Sequence, residues 1–218
     1  LGRARRAVTM RRSARVHIDA APEPAPAPAA PPAEPGGMHD IAMKTVPLKG
    51  FSTELPPDID PAVFSLVLDA TDRVRTNEGA PHGAIFLLVP AGSNPRDVGY
   101  PTKENGMTRG YVEDAVCFKT SANLDRRLME LLSFDGASIV DGGSGVILAI
   151  CYQIEPVGVV ARRAWKLENH GTKHNSSLRM SEFGPYVAIV RSDDGHITVF
   201  APAATARGEC FRVDPSLA

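Results

Sequence analysis

The sequence predicts an α/β fold, a mixed central β-sheet flanked by helices within a single domain. Three observations point there. Ala84–Val89 is an unbroken apolar run of strand length between Gly83 and Pro90, the pattern of a strand buried on both faces. Stripes of helical period separate it from later apolar runs, so helices and strands interleave. Two pairs of those later runs are joined by short glycine-bearing turns, which makes each pair a hairpin.

Along the chain, Asp60 and Pro61 open the first helix. Proline suits the first turn, and Val63, Phe64, Val67, Leu68 and Val74 follow at helical spacing. Gly79-Ala80-Pro81 stops it, and the strand at 84–89 comes next. Residues 91–120 read as loop. Leu124, Leu128, Leu131 and Leu132 form a second helical stripe, capped by Ser121 or Asn123. Strands are expected at 136–141 and 145–153. Gly142-Gly143-Ser144-Gly145 joins two strands rather than opening a helix, so it reads as a hairpin turn and not as a phosphate loop. A third helix opens at Thr172, and strands at 186–191 and 196–200 flank the turn Ser192-Asp193-Asp194-Gly195. The chain therefore divides into an arm at 1–37, a helical segment at 38–79, the main domain at 80–202 and a tail at 203–218.

Composition sets the outer bounds. The chain is 43% hydrophobic and 22% charged with a formal net charge of −1, so its overall balance calls for neither a nucleic-acid nor a membrane partner. Charge is uneven, with six arginines against three acids in residues 1–37. Seven prolines between Ala20 and Gly37 mark a segment that cannot build a core and should be extended and disordered. The arm is either an upstream extension of no function or a basic strip that touches nucleic acid or acidic lipid weakly. Cys117, Cys151 and Cys210 follow no ligand spacing, which argues against a disulfide framework or zinc cluster and for a reducing, cytoplasmic setting. No apolar run reaches the roughly 18–20 residues that span a bilayer, and none follows the arginines as a secretory signal requires.

Residues 135–182 carry the most chemistry. Asp135 stands at a helix-to-strand junction, followed by Gly136 and Ala137, whose small side chains let a ligand approach the backbone. A carboxylate so placed suits Mg²⁺ or Mn²⁺ shared with a triphosphate, or it merely starts a strand as an Asp-Gly turn. Gly171-Thr172-Lys173-His174-Asn175-Ser176-Ser177 opens a helix. Gly171 can take a conformation closed to other residues, and Thr172 can cap the helix while neighbouring N–H groups stay free for phosphate. Lys173 and His174 add charge or hydrogen bonds, and Ser176 and Ser177 add hydroxyls. An ordinary capped helix with a polar first turn is the competing reading. His170 and His174 are four apart, but Gly171 lies between them where the helix is only beginning, so zinc is set aside. The Ser192-Asp193 turn adds a hydroxyl and a carboxylate if it shares a sheet edge with Asp135 and Thr172.

These residues resemble a known family. Asp135-Gly136-Ala137 with Ser-Ile-Val-Asp, Gly171-Thr172-Lys173-His174, Ser181-Glu182 and Val190-Arg191-Ser192-Asp193 are similar to motifs of the diadenylate cyclase domain, which makes cyclic di-AMP from two ATP. The likeness covers about residues 80–202. The family's Arg-His-Arg is Lys173-His174-Asn175 here, and its Ser-Glu is Ser192-Asp193. Lysine keeps charge without the bidentate fork, and asparagine loses the charge.

The resemblance implies a diadenylate cyclase-like single domain and a site. Asp135 would bind the metal and help activate a ribose 3′-hydroxyl, with Lys173 and His174 as its catalytic companions. Gly136, Ala137 and Ile154 would line the nucleoside pocket. Thr172, Lys173, His174 and Ser192 would hold the triphosphate, with Gly171 and Asn175 also in the nucleotide-binding set, and Asp193 would stand in for the glutamate. Mg²⁺ or Mn²⁺ is the implied cofactor, ATP the implied substrate, and a second copy the implied partner, in a face-to-face homodimer. The alternative is a catalytically impaired module of the same fold that binds a nucleotide as a sensor.

Overall fold

The computed structural model describes residues 39–76, 83–104, 107–108, 116–132, 135–156, 165–167 and 170–217. In chain order these form β1 (His39–Asp40), β2 (Ala42–Pro47), α1 (Pro61–Thr76), β3 (Ala84–Val89), β4 (Gly99–Pro101), β5 (Lys103–Glu104) and β6 (Met107–Thr108). Then follow α2 (Leu124–Leu132), β7 (Ala137–Asp141), β8 (Ile147–Ile154), β9 (Trp165–Lys166), α3 (Thr172–Phe183), β10 (Val187–Arg191), β11 (Ile197–Phe200), α4 (Pro202–Ala206) and β12 (Glu209–Asp214). The arm lies outside the described residues, as do residues 77–82 and the side chains of Leu131 and Leu132.

Eight strands make one sheet in the order β2-β12-β11-β10-β3-β7-β8-β4. It is mixed, as the sequence predicts: β3 pairs β7 and β12 pairs β2 in parallel, and the other neighbours run antiparallel. Its centre explains the unbroken apolar run. Phe86 and Leu88 of β3 point to one face, beside Val63, Phe64, Val67 and Leu68 of α1 and Leu128 of α2. Ile85, Leu87 and Val89 point to the other, beside Leu178 and Met180 of α3. With both faces covered there is no solvent side for a polar residue to fill. Val63, Val67 and Val74 are fully buried, each contributing about 1.5–3 kcal/mol through apolar burial.

The start of α1 is built as expected. Asp60 Oδ1 accepts from the Ala62 N–H at 2.8 Å, and Lys119 Nζ bridges Asp60 Oδ2 and the Gly143 carbonyl at 2.8 Å each. The 142–145 segment is the β7–β8 hairpin turn. Asp141 holds it, accepting from the N–H groups of Gly92, Gly143 and Ser144 and from the Ser144 hydroxyl at 2.7–3.1 Å. Burial pulls the Asp141 carboxyl upward, but those donors outweigh it and hold the group below the usual carboxylate range.

The sheet extends past the expected domain on both sides. The 38–79 segment contributes β2 as well as a helix, and the 203–218 tail contributes α4 and β12. β2 is an edge strand, largely exposed, with Lys44 and Pro47 on it, residues that discourage further pairing. Its weak alternation follows from having little to bury. β4 likewise falls inside the stretch read as loop, three residues at the opposite edge.

Candidate functional site

The N-terminal ends of β3 and β7 and the C-terminal ends of the antiparallel β8 and β10 meet at one rim of the sheet. The N-terminus of α3 arrives at the same rim. Between them opens a cleft of about 780 Å³, within the range of small-molecule sites. Asp135, Gly136, Ile154, Gly171, Thr172, Lys173, His174, Ser192 and Asp193 all line it. The β10–β11 turn therefore shares an edge with Asp135 and Thr172. Ala137 and Asn175 are not in the lining. Ala137 is fully buried in β7, and the Asn175 amide donates to the carbonyls of His170 at 3.0 Å and Gly171 at 3.2 Å.

At the mouth of β7, Asp135 is exposed, and its Oδ1 accepts from the Gly136 N–H at 3.0 Å. Gly136 has φ +113, and an added Cβ would stand 2.9 Å from the Cα and carbonyl carbon of Cys151. Cys151 itself has φ +57, at the point where the β7–β8 register shifts. Its carbonyl accepts from both the N–H and the hydroxyl of Thr102, at 2.7 and 2.8 Å. The bulge turns Tyr152 and Ile154 to the α3 face, where both line the cleft with Thr102 and Gln153. Of these, Ile154 is expected at the pocket from the resemblance, whereas Thr102, Tyr152 and Gln153 have no signal in the sequence, because a bulge breaks the alternation that would announce them.

The opening of α3 differs from expectation in three ways. Gly171 is the N-cap at φ −73 and ψ −179, extended backbone open to any residue, and nothing lies within 4 Å of a Cβ placed there. Thr172 is the first helical residue rather than the cap, and no side-chain cap hydrogen bond is made among the described residues. Gly171, Thr172, Lys173 and His174 line the cleft, so the start of the helix, without a side-chain cap among the described residues, lies where its dipole and first-turn N–H groups can favour an anion. Ser176 lines the cleft, whereas Ser177 is fully buried away from it.

Electrostatics divide the rim. Lys173 Nζ stands 3.8 Å from Asp193 Oδ1, and that oxygen also accepts from the Gly83 N–H at the start of β3. Asp194 adds a further carboxylate and approaches His196 Nε2 at 3.8 Å. His174 is 7% exposed, with Nε2 3.3 Å from the hydroxyls of Ser192 and Thr198. Burial, with His170 and Lys173 alongside, pushes its pKa down to about 4 despite Asp194. The ring is therefore neutral near pH 7 and acts by hydrogen bonding, not by charge. His170 packs against it with ring centroids 4.8 Å apart.

No group of three or more His, Cys, Asp or Glu side chains able to hold a metal occurs among the described residues. The exposed Asp135 carboxylate fits a hard cation held jointly with a ligand's phosphates, which is how Mg²⁺ is ordinarily bound, and not one held by protein alone.

Fold and cleft define an α/β protein with a mixed sheet and a polar rim able to receive an anionic ligand. No family model matches the chain, and no curated protein matches it. Solved structures similar to this chain include two at low identity. A hypothetical membrane spanning protein from Bacillus cereus is 15% identical with a TM-score of 0.46, covering 73% of this chain and 66% of that one. A double cysteine mutant of DacA from Staphylococcus aureus is 18% identical with a TM-score of 0.39, covering 69% of this chain and 85% of that one. The chain thus spans about two thirds of the first structure's length. Among the described residues no helix is long and apolar enough to cross a membrane.

Proposed function

We propose that this chain is a diadenylate cyclase-type nucleotidyltransferase that joins two ATP into cyclic di-AMP as a face-to-face pair. One observation carries the reading. The Asp135-Gly136 strand entrance and the uncapped start of α3, far apart in sequence, line one cleft together with Lys173 and Ser192.

In this reading the N–H groups at the start of α3, the Thr172 and Ser192 hydroxyls and Lys173 hold the triphosphate, and Gly136 and Ile154 flank the nucleoside. Asp135 takes hydrogen-bonding or proton-accepting duty toward a 3′-hydroxyl. The 3′-oxygen of one ATP bonds to the α-phosphorus of the other as the bond from that phosphorus to the α,β-bridging oxygen breaks. Pyrophosphate leaves with the electron pair, and the hydroxyl proton passes through Asp135 to water. A second, reciprocal transfer closes the ring. Such in-line transfer depends mainly on positioning and charge neutralisation. Asp135 would hold Mg²⁺ or Mn²⁺, which would supply part of that neutralisation. Mass analysis of products formed from ATP with Mn²⁺ tests the proposal, and a wild type inert with every nucleotide and metal rejects it.

A second reading, a nucleotide-binding sensor, is favoured by the Asn175 amide. It is turned onto the backbone, so that position gives the phosphates no donor. Calorimetry showing tight ATP binding without turnover supports this reading, and turnover restored by Asn175→Arg would explain the loss.

A further inference from the structure

His174 sits between two hydroxyls that compete for one atom. Its Nε2 is 3.3 Å from Thr198 Oγ1 and 3.3 Å from Ser192 Oγ. A ring nitrogen offers a single site, either a lone pair or a proton. The two hydroxyls differ in their alternatives. Thr198 is 2% exposed, and Nε2 is the one partner of its hydroxyl among the described residues. Ser192 lines the cleft and can turn its proton to a ligand or to water. A buried hydroxyl proton without an acceptor is strongly unfavourable, so Thr198 has the prior claim on the Nε2 lone pair. The proton of the neutral ring then lies on Nδ1. Both side-chain hydrogen bonds of His174 among the described residues are made through Nε2, and His174 lines the cleft, so Nδ1–H is the ring donor left for a ligand there.

We infer that Thr198 is a positioning residue for the phosphates. Its hydroxyl donates to His174 Nε2, fixes the imidazole as the Nδ1–H tautomer, and leaves Nδ1–H and the Ser192 hydroxyl as two uncharged donors facing the cleft. The ligand named here rests on the nucleotide reading above; the tautomer does not. Uncharged donors suit this rim, because they bind phosphate oxygens without being neutralised by Asp193 or Asp194 as an ammonium is.

The test compares wild type, Thr198→Val and Thr198→Ser by ¹⁵N-histidine NMR, and by titration with ATP plus Mg²⁺ and with adenosine. Wild type and Thr198→Ser should show a Nδ1-protonated ring at position 174. Thr198→Val should move it toward Nε2–H and weaken ATP about tenfold, with adenosine binding unchanged. General loss of structure would weaken both ligands alike. A Nε2-protonated ring in the wild type, or a Thr198→Val variant that keeps both tautomer and ATP affinity, overturns the assignment. A wild type that binds neither ATP nor adenosine overturns the nucleotide reading instead, and the nitrogen shifts still decide the Thr198–His174 bond.

Discussion

Gly136 lies directly against the backbone of Cys151, with room for hydrogen and no room for a methyl group. The contact joins the mouth of β7 to the bulge of β8, so the strand entrance that presents Asp135 is set by a glycine at φ +113 facing a cysteine at φ +57. Gly136→Ala should therefore destabilise the protein by about 2–4 kcal/mol, combining left-handed strain with a backbone clash. Gly171→Ala is the contrast, since its backbone is extended and its surroundings are open; the loss should stay within about 1 kcal/mol. Urea unfolding midpoints of the two variants check the difference.

Asp135 is exposed, and its Oδ1 accepts from the N–H of its own neighbour Gly136, so the fold does not depend on its charge. Asp135→Asn should leave the melting temperature within a degree or two while lowering turnover of ATP by about 100-fold or more. Parallel thermal melts and product assays separate the two effects.

Asp193 ties two elements together, accepting from Gly83 and facing Lys173. Asp193→Ala leaves the Gly83 N–H without that acceptor and should cost about 1–3 kcal/mol of stability. Asp193→Asn keeps an acceptor oxygen and releases Lys173 from a competing charge. It should be milder in stability and raise ATP affinity several-fold at low salt, an effect that shrinks as salt screens it. Calorimetry at two ionic strengths reads both.

His174 gives a pH signature. The unfolded ring takes its proton near pH 6.5, whereas burial, with His170 and Lys173 nearby, delays this to about pH 4 in the folded protein. Asp194 acts in the opposite direction but does not prevail. The unfolded state therefore binds more protons between those values, and stability should fall as pH drops from about 6.5 to about 4, by up to about 3 kcal/mol. Asp141, also held below its ordinary pKa, adds its own loss only at more acid pH. Denaturation midpoints across this range should slope for wild type and flatten for His174→Gln.

The interior of the fold is legible because burial writes itself into the sequence. β3 is apolar at every position since helices cover both faces, and α1 shows its stripe through Val63, Val67 and Val74. β2 and β12 escaped because an edge position buries little and a short tail gives periodicity no length to appear. In the site, Asp135 and the Thr172–His174 turn are each open in sequence between a ligand role and an ordinary Asp-Gly turn or polar helix start, and it is the fold that brings them to one cleft. Thr102, Tyr152 and Gln153 carry no signal, since a register shift at Cys151 brings them to the cleft. Gly171 misleads in the opposite direction, being a glycine whose backbone makes no demand for one.

The most direct test of the shared cleft is an ATP titration of ¹⁵N-labelled protein with Mg²⁺ present. Amide shifts should move together, along one binding curve, at Gly136 on the β7 side and at Thr172 and Lys173 on the α3 side. Shifts confined to one of these segments, or lying elsewhere on the sheet, would contradict a triphosphate held between them.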